Sequence, residues 1–195
     1  MNKDILICGV GGQGTVLASG IIAAAAMAEG NLVHSAETIG MAQRGGPVTS
    51  HVRIGEKAFS PLIPGKKADL IIGFEPSEVV RNIRYLSPEG VAVVNTAAVK
   101  PVTASLADSG YDGTEMTEYL KNKCECIFVD GITECENLGS VKFLNILLLG
   151  IASGSGRLGI KKETMMTEIE KRVPEKFKEA NIKAFIKGYG IGGGK

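Results

Sequence analysis

Two kinds of apolar spacing run through the chain: short continuous runs, and longer stretches in which apolar residues recur at helical intervals. Residues 4–8 form a short apolar run stopped by glycines and predict a buried strand. Residues 12–28 predict a helix. Val16, Leu17, Ile21 and Ile22 mark its apolar face, Gly20, Ala23 and Ala24 permit close contact with a sheet, and Gly30 stops it. Residues 31–36 predict a second strand, and the polar, glycine-rich residues 37–47 a loop. Residues 48–54 alternate, with Val48, Ser50, Val52 and Ile54 on one face and Thr49, His51 and Arg53 on the other. The segment continues hairpin-like to residue 59, so the sheet is expected to be mixed.

Further on, residues 69–74 predict another buried strand. Ser77 is placed to cap a helix that runs through Leu86, and Ser87-Pro88-Glu89-Gly90 reads as a turn. Residues 91–95 predict a strand, 115–122 a helix and 124–130 a strand. The remainder is helical over residues 140–152, 163–172 and 175–187, the last started by Pro174. This alternation predicts an α/β fold: a Rossmann-like layered, mixed sheet with helices on its faces and a helical C-terminal region. No internal repeat, low-complexity stretch or linker interrupts it. Residues 1–195 are therefore expected to form one domain, with a helical C-terminal segment over 140–190.

Charge excludes some partners. The formal net charge is +1, so no bulk field draws the chain to nucleic acid or to a membrane. Asn2-Lys3-Asp4 leads straight into the first strand and predicts no signal peptide. The most apolar later segment, 141–152, carries Lys142 and Asn145 and is shorter than the ~20 residues of a membrane span. A cytoplasmic protein is the expectation, and with it free thiols at Cys8, Cys124, Cys126 and Cys135. Cys124-x-Cys126 followed by Cys135 is open to a metal-site reading. It lacks the spacing of ferredoxin-type clusters, and on a strand Cys124 and Cys126 point the same way, which favours packing.

Four segments carry candidate chemistry. Gly9-Val10-Gly11-Gly12-Gln13-Gly14 fits G-x-G-x-x-G between a strand and a helix, where backbone N–H groups can hold a phosphate or carboxylate. A complete P-loop is excluded, because Thr15 stands where lysine is required. A dinucleotide site needs an acid at the end of the next strand, and Glu37 comes slightly late for it. Nucleotide binding and plain strand-to-helix packing both remain open on this motif. In the second segment, Glu37 and Gln43 precede or flank Arg44, which stands beside Gly45-Gly46. There a planar cation and free N–H groups could meet an anion, or Arg44 could pair with Glu37 or Glu75 inside the fold. Glu75 leaves one strand and Asn95 ends the next, where open α/β sheets place ligand groups. His34 and His51 lie in strand-like segments and read as structural.

In order, "GVGGQG", "ETIGMAQRGGPVTSHVRIG", "ADLIIGFEPSEVVR", "VVNT", "NILLLGIASGSG" and "EANIKAFIKGYGIG" resemble the gamma-type domain of 2-oxoacid:ferredoxin oxidoreductases over nearly the whole chain. The "GMAQRGG" form is most similar to the small beta subunit of the indolepyruvate type. Pyruvate-type gamma subunits tend to carry an acidic residue where this chain has Ala42-Gln43. The resemblance implies oxidative decarboxylation of a 2-oxoacid, with the acyl group passed to coenzyme A and electrons to ferredoxin. It implies that the glycine loop packs against a partner and shapes part of a thiamine diphosphate and coenzyme A site, and is not an NAD site. No Gly-Asp-Gly stretch for thiamine diphosphate and magnesium is present, since Val129-Asp130-Gly131 lacks the first glycine, and no ferredoxin-like cysteine run is present either. The chain is thus expected to bind no cofactor alone. Thiamine diphosphate, magnesium and iron–sulfur clusters belong to a larger subunit, ferredoxin is reached through the complex, and the chain self-associates when that subunit is missing. Gly11, Gly12, Gln13, Gly14, Glu37, Gln43, Arg44, Gly45, Gly46, Glu75 and Asn95 are the candidate substrate, coenzyme A or interface residues; no catalytic residue and no metal ligand is assigned. A free-standing nucleotide-binding module and a non-catalytic scaffold are the competing readings.

Overall fold

The computed structural model describes residues 1–39, 46–99 and 111–194. Six strands form one mixed sheet: β1 (Lys3–Val10), β2 (Val33–Ile39), β3 (Pro47–Ile54), β4 (Ala68–Gly73), β5 (Leu86–Asn95) and β6 (Glu125–Val129), in the order β2-β3-β1-β4-β5-β6. β1, β4, β5 and β6 run parallel, and β3 is antiparallel to both β1 and β2. β1, β4 and β5 read as continuous apolar runs because helices cover both their faces.

On one face Ile5, Ile7, Leu70, Ile72 and Val93 meet a cluster that includes α1 (Thr15–Ala28), α5 (Leu144–Gly154), α6 (Lys162–Arg172) and α7 (Lys178–Ile191). On the other face Leu6, Cys8, Ile71, Ala92 and Val94 meet Val79 of α2 (Pro76–Asn82) and Leu120 of α3 (Thr114–Lys121). α5 is buried from Leu144 to Ser153, between the sheet and α7. Close approach of α5 to α7 depends on glycines of both helices: a Cβ on Gly150 would stand 2.2 Å from the Phe185 carbonyl oxygen, and one on Gly188 2.1 Å from that of Leu147.

Several expectations need correction. Residues 37–39 belong to β2 and are not loop, because Glu37, Thr38 and Ile39 pair with Ser50, Thr49 and Val48, and an edge strand tolerates polar residues on its open side. β3 makes its hairpin with β2, the strand before it, and residues 55–67 hold no strand. α2 is capped by Glu75, whose carboxylate accepts from Glu78 N–H, with Pro76 at the first helical position; it ends at Asn82 and passes into a 3-10 turn, Ile83–Tyr85. Residues 87–90 lie inside β5 and are taken up by a bulge, since Ala68 and Leu70 pair with Leu86 and Val91. Gly20 faces open space and mediates no sheet contact. A short helix missing from the sequence reading, α4 (Gly131–Asn137), is capped by Asp130, which accepts from Thr133 N–H at 3.1 Å.

Candidate functional site

The carboxyl ends of β1, β4 and β5 are stitched together at one carbonyl, that of Phe74. The Phe74 N–H donates to Cys8 O at 2.9 Å. Its carbonyl accepts from Gln13 Nε2 at 3.2 Å and from Asn95 Nδ2 at 3.0 Å. The same two amides reach further: Gln13 Oε1 accepts from Val10 N–H at 2.8 Å, and Asn95 Oδ1 from Gly131 N–H at 3.0 Å. Asn95 is 1% exposed, so these two bonds are made away from water. Gly9 has to be glycine here, because a Cβ would lie 2.6 Å from Gln13 Oε1 and 2.7 Å from Phe74 Cβ. Gly14 turns the chain into α1 at φ 86°, and a Cβ there would meet Asn145 Nδ2 at 2.7 Å.

Glu75, also 1% exposed, is fully engaged inside the fold. Its carboxylate accepts from the Ser77 hydroxyl, from Glu78 N–H at 3.0 Å and from the Tyr111 hydroxyl. Burial and the bond to Glu75 push the Tyr111 phenol up to about 12. Burial also raises the Glu78 carboxyl, against the opposing pull of Arg81 at 3.6 Å. Cys8 lies fully buried nearby. Burial, with the charges of Glu78 and Glu75, drives its thiol well above the ordinary range, so it stays protonated and is no nucleophile.

Of the candidate residues, Gly11, Gly12, Gln13, Gly14, Glu75 and Asn95 share this sheet end. Gly46 joins them, its carbonyl accepting from Gly11 N–H at 2.8 Å. Glu37 is on exposed β2 and accepts from Ser19 Oγ of α1 at 3.0 Å. β3 lies between β2 and β1, which moves Glu37 two strand spacings from β1, about 10 Å, and away from where a dinucleotide ribose would need an acid. Gln43, Arg44 and Gly45 lie outside the described residues. Asn145, Tyr111 and Gly131 belong to the same constellation and escaped the sequence reading. The signal for Asn145 was there: one amide in an otherwise apolar helical run. Tyr111 and Gly131 carry no such mark.

The thiols are divided between the two sheet faces. Cys135 sits in the cluster of α1 and α5, Cys124 and Cys126 in that of α2 and α3. Among the described residues no group of three or more His, Cys, Asp or Glu side chains is placed to hold a metal ion. Asp130 is spent on capping α4, where it also accepts from the Thr133 hydroxyl at 2.7 Å. These residues suit neither an iron–sulfur cluster nor a magnesium diphosphate site. No helix among the described residues is long and apolar enough to cross a membrane.

Comparison with known proteins gives a consistent result. The sequence model of the family described as pyruvate ferredoxin/flavodoxin oxidoreductase matches residues 4–191. The chain is 36% identical to indolepyruvate oxidoreductase subunit IorB of Archaeoglobus fulgidus, over 97% of this chain and 94% of that protein. It is 32% identical to the subunit of the same name from Methanothermobacter thermautotrophicus, over 97% of each. Among solved structures, 2-oxoglutarate:ferredoxin oxidoreductase from Magnetococcus marinus, with 2-oxoglutarate, coenzyme A and succinyl-CoA bound, superposes with a TM-score of 0.76 at 19% identity. The match covers 98% of this chain and 31% of that one, so the same fold is a minor part of a longer chain there.

Proposed function

The chain belongs to the pyruvate ferredoxin/flavodoxin oxidoreductase family and is a small, gamma-type subunit of a 2-oxoacid:ferredoxin oxidoreductase; from that premise we propose that its enzyme is of the indolepyruvate type, acting on aryl-substituted 2-oxoacids. Residues 1–195 serve as one unit that forms a wall of a site completed by a larger subunit. The reaction is oxidative decarboxylation: carbon dioxide leaves, the acyl group passes to coenzyme A, and two electrons pass to ferredoxin. Thiamine diphosphate, magnesium and iron–sulfur clusters, held by the larger subunit, supply the decarboxylation and the electron path.

One observation carries the reading. At the sheet end where a ligand group would stand, the polar side chains are occupied within the fold: Gln13 and Asn95 on Phe74, Glu75 on Ser77, Glu78 and Tyr111. What faces outward is the exposed glycine backbone at Gly12, beside Val16 and Leu17, which are 43% and 37% exposed. Such a rim supplies shape and apolar surface to a partner, and leaves acid–base and redox chemistry to it. Arg44, on the neighbouring segment 40–46, is proposed as the anion contact for coenzyme A, the 2-oxoacid or an acidic residue of the larger subunit.

The test is reconstitution with the larger subunit. Acceptor reduction dependent on coenzyme A is expected from the pair alone, with a higher kcat/KM for indolepyruvate or phenylpyruvate than for pyruvate. The isolated chain is expected to be colourless and free of iron and thiamine diphosphate. A pair that prefers pyruvate would overturn the substrate assignment. Tight binding of NAD(H) or ATP by the isolated chain, or stoichiometric iron surviving strict purification, would overturn the division of labour.

A further inference from the structure

At the opposite end of the sheet, Cys124 and Cys126 bring their sulfur atoms to 3.4 Å, across the bend that leads from α3 into β6. Both are only partly buried. Each thiol also approaches the Leu120 carbonyl at the end of α3, at 3.8 and 3.9 Å. Cys124 opens into a surface cavity of about 260 Å³ whose wall includes three cations, Lys66, Arg84 and Lys123. Cys8 and Cys135, by contrast, are buried. A disulfide needs its sulfurs at about 2.05 Å, so the pair must close by a little over 1 Å, and the bend at Cys124 leaves that position free of the strand ladder.

We propose that Cys124 and Cys126 form a reversible dithiol–disulfide site, served through the cation-lined cavity by low-molecular-weight disulfides that carry carboxylates. The Cys124 thiol loses its proton to solvent, and the thiolate attacks one sulfur of R–S–S–R. That S–S bond breaks, a mixed disulfide forms on Cys124, and RS⁻ leaves with the electron pair. Cys126, deprotonated in turn, attacks Cys124 Sγ, and the second RS⁻ departs. The two thiols are oxidised by two electrons, the external disulfide is reduced to two thiols, and the two protons end on RS⁻. Position assigns the roles: both thiols pack against the same core cluster, but Cys124 lines the cavity and is the attacking thiol, while Cys126 does not line it and resolves. The bond between the sulfurs favours the same order, drawing the Cys124 thiol below its ordinary value and holding the second proton on Cys126. The site is remote from the sheet end described above and does not rest on the proposed function.

The experiment uses the full chain and glutathione disulfide, followed by alkylation of free thiols and peptide mapping by mass spectrometry. The wild type is expected to lose both alkylatable thiols of residues 124 and 126, to gain an internal disulfide there, and to recover both on reduction, while Cys8 and Cys135 stay free. Cys126→Ser should accumulate one glutathione on Cys124, and Cys124→Ser should leave Cys126 unmodified on that timescale. Free, alkylatable Cys124 and Cys126 after exposure would overturn the proposal. So would glutathione that persists on Cys124 of the wild type, because Cys126 would then fail to resolve it. The wild-type arm reads out independently of whether either variant folds.

Discussion

Asn95 does more structural work than its size indicates, because one buried amide holds β4, β5 and the start of α4 together. Asn95→Ala removes two buried bonds and strands the Gly131 N–H. A loss of about 2–3 kcal/mol in unfolding free energy is expected for the isolated chain, read from its denaturation curve. His51 makes a second prediction. It is 4% exposed, its Nδ1 accepts from Ile63 N–H at 3.2 Å, and burial lowers its pKa from 6.5. Above that value both folded and unfolded imidazoles are neutral and contribute nothing to the pH dependence. Below it the unfolded chain takes up a proton that the folded chain resists, so stability falls as pH drops through about 6.5 and below. Thermal unfolding followed from about pH 8 to pH 5.5 should show this slope, and His51→Gln should flatten it. At this scale the sequence singled out Gln13, Glu75 and Asn95, which the fold gathers at one sheet end, because each lies at or just past the carboxyl end of a strand. Their partners stayed invisible. Tyr111 and Asn145 come from distant parts of the chain, and only the closed sheet brings them to Glu75 and Gly14.

The elements themselves were legible wherever hydrophobic period and burial coincide. β1, β4 and α5 follow their apolar runs and β3 its alternation, whereas Val16 and Leu17, read as part of the apolar face of α1, stand 43% and 37% exposed. Reading failed where a polar residue served pairing or capping. Glu37 sits in β2 on the strength of its ladder with β3, and Glu75 takes the cap that Ser77 was expected to fill. The meeting of α5 and α7 was also hidden, because glycine adds nothing to a hydrophobic pattern. There the glycines act through absence of bulk. Gly150→Ala must push the Phe185 backbone aside and should cost about 2–3 kcal/mol. Gly190→Ala, in the same α7 but with nothing within 4 Å of the added methyl, should instead stabilise by about 0.5–1 kcal/mol. Paired denaturation curves of the two variants separate packing from helix propensity.

For the whole molecule, the mixed sheet order sets the surroundings of the glycine motif. A strand inserted between β1 and β2 carries Glu37 away, and Gly46, just before β3, accepts from the Gly11 N–H. Arg44 lies two residues before Gly46 in the chain, and its guanidinium fork suits a carboxylate or phosphate in a way lysine does not reproduce. In the reconstituted enzyme, Arg44→Ala and Arg44→Lys should raise KM for coenzyme A or the 2-oxoacid about tenfold with little change in kcat, as for a contact made equally in ground and transition states. If Arg44 instead pairs with the larger subunit, the affinity between subunits falls and KM stays put; unchanged values of all three remove the segment from the site. The interlocked α5 and α7 have a temporal consequence as well. All six strands and α5 leave the ribosome before α7 does, yet the face of α5 that meets α7 stays uncovered until residue 188 arrives to meet Leu147. During synthesis the nascent chain therefore carries one helix with an apolar face open, a state in which a pause in translation invites aggregation.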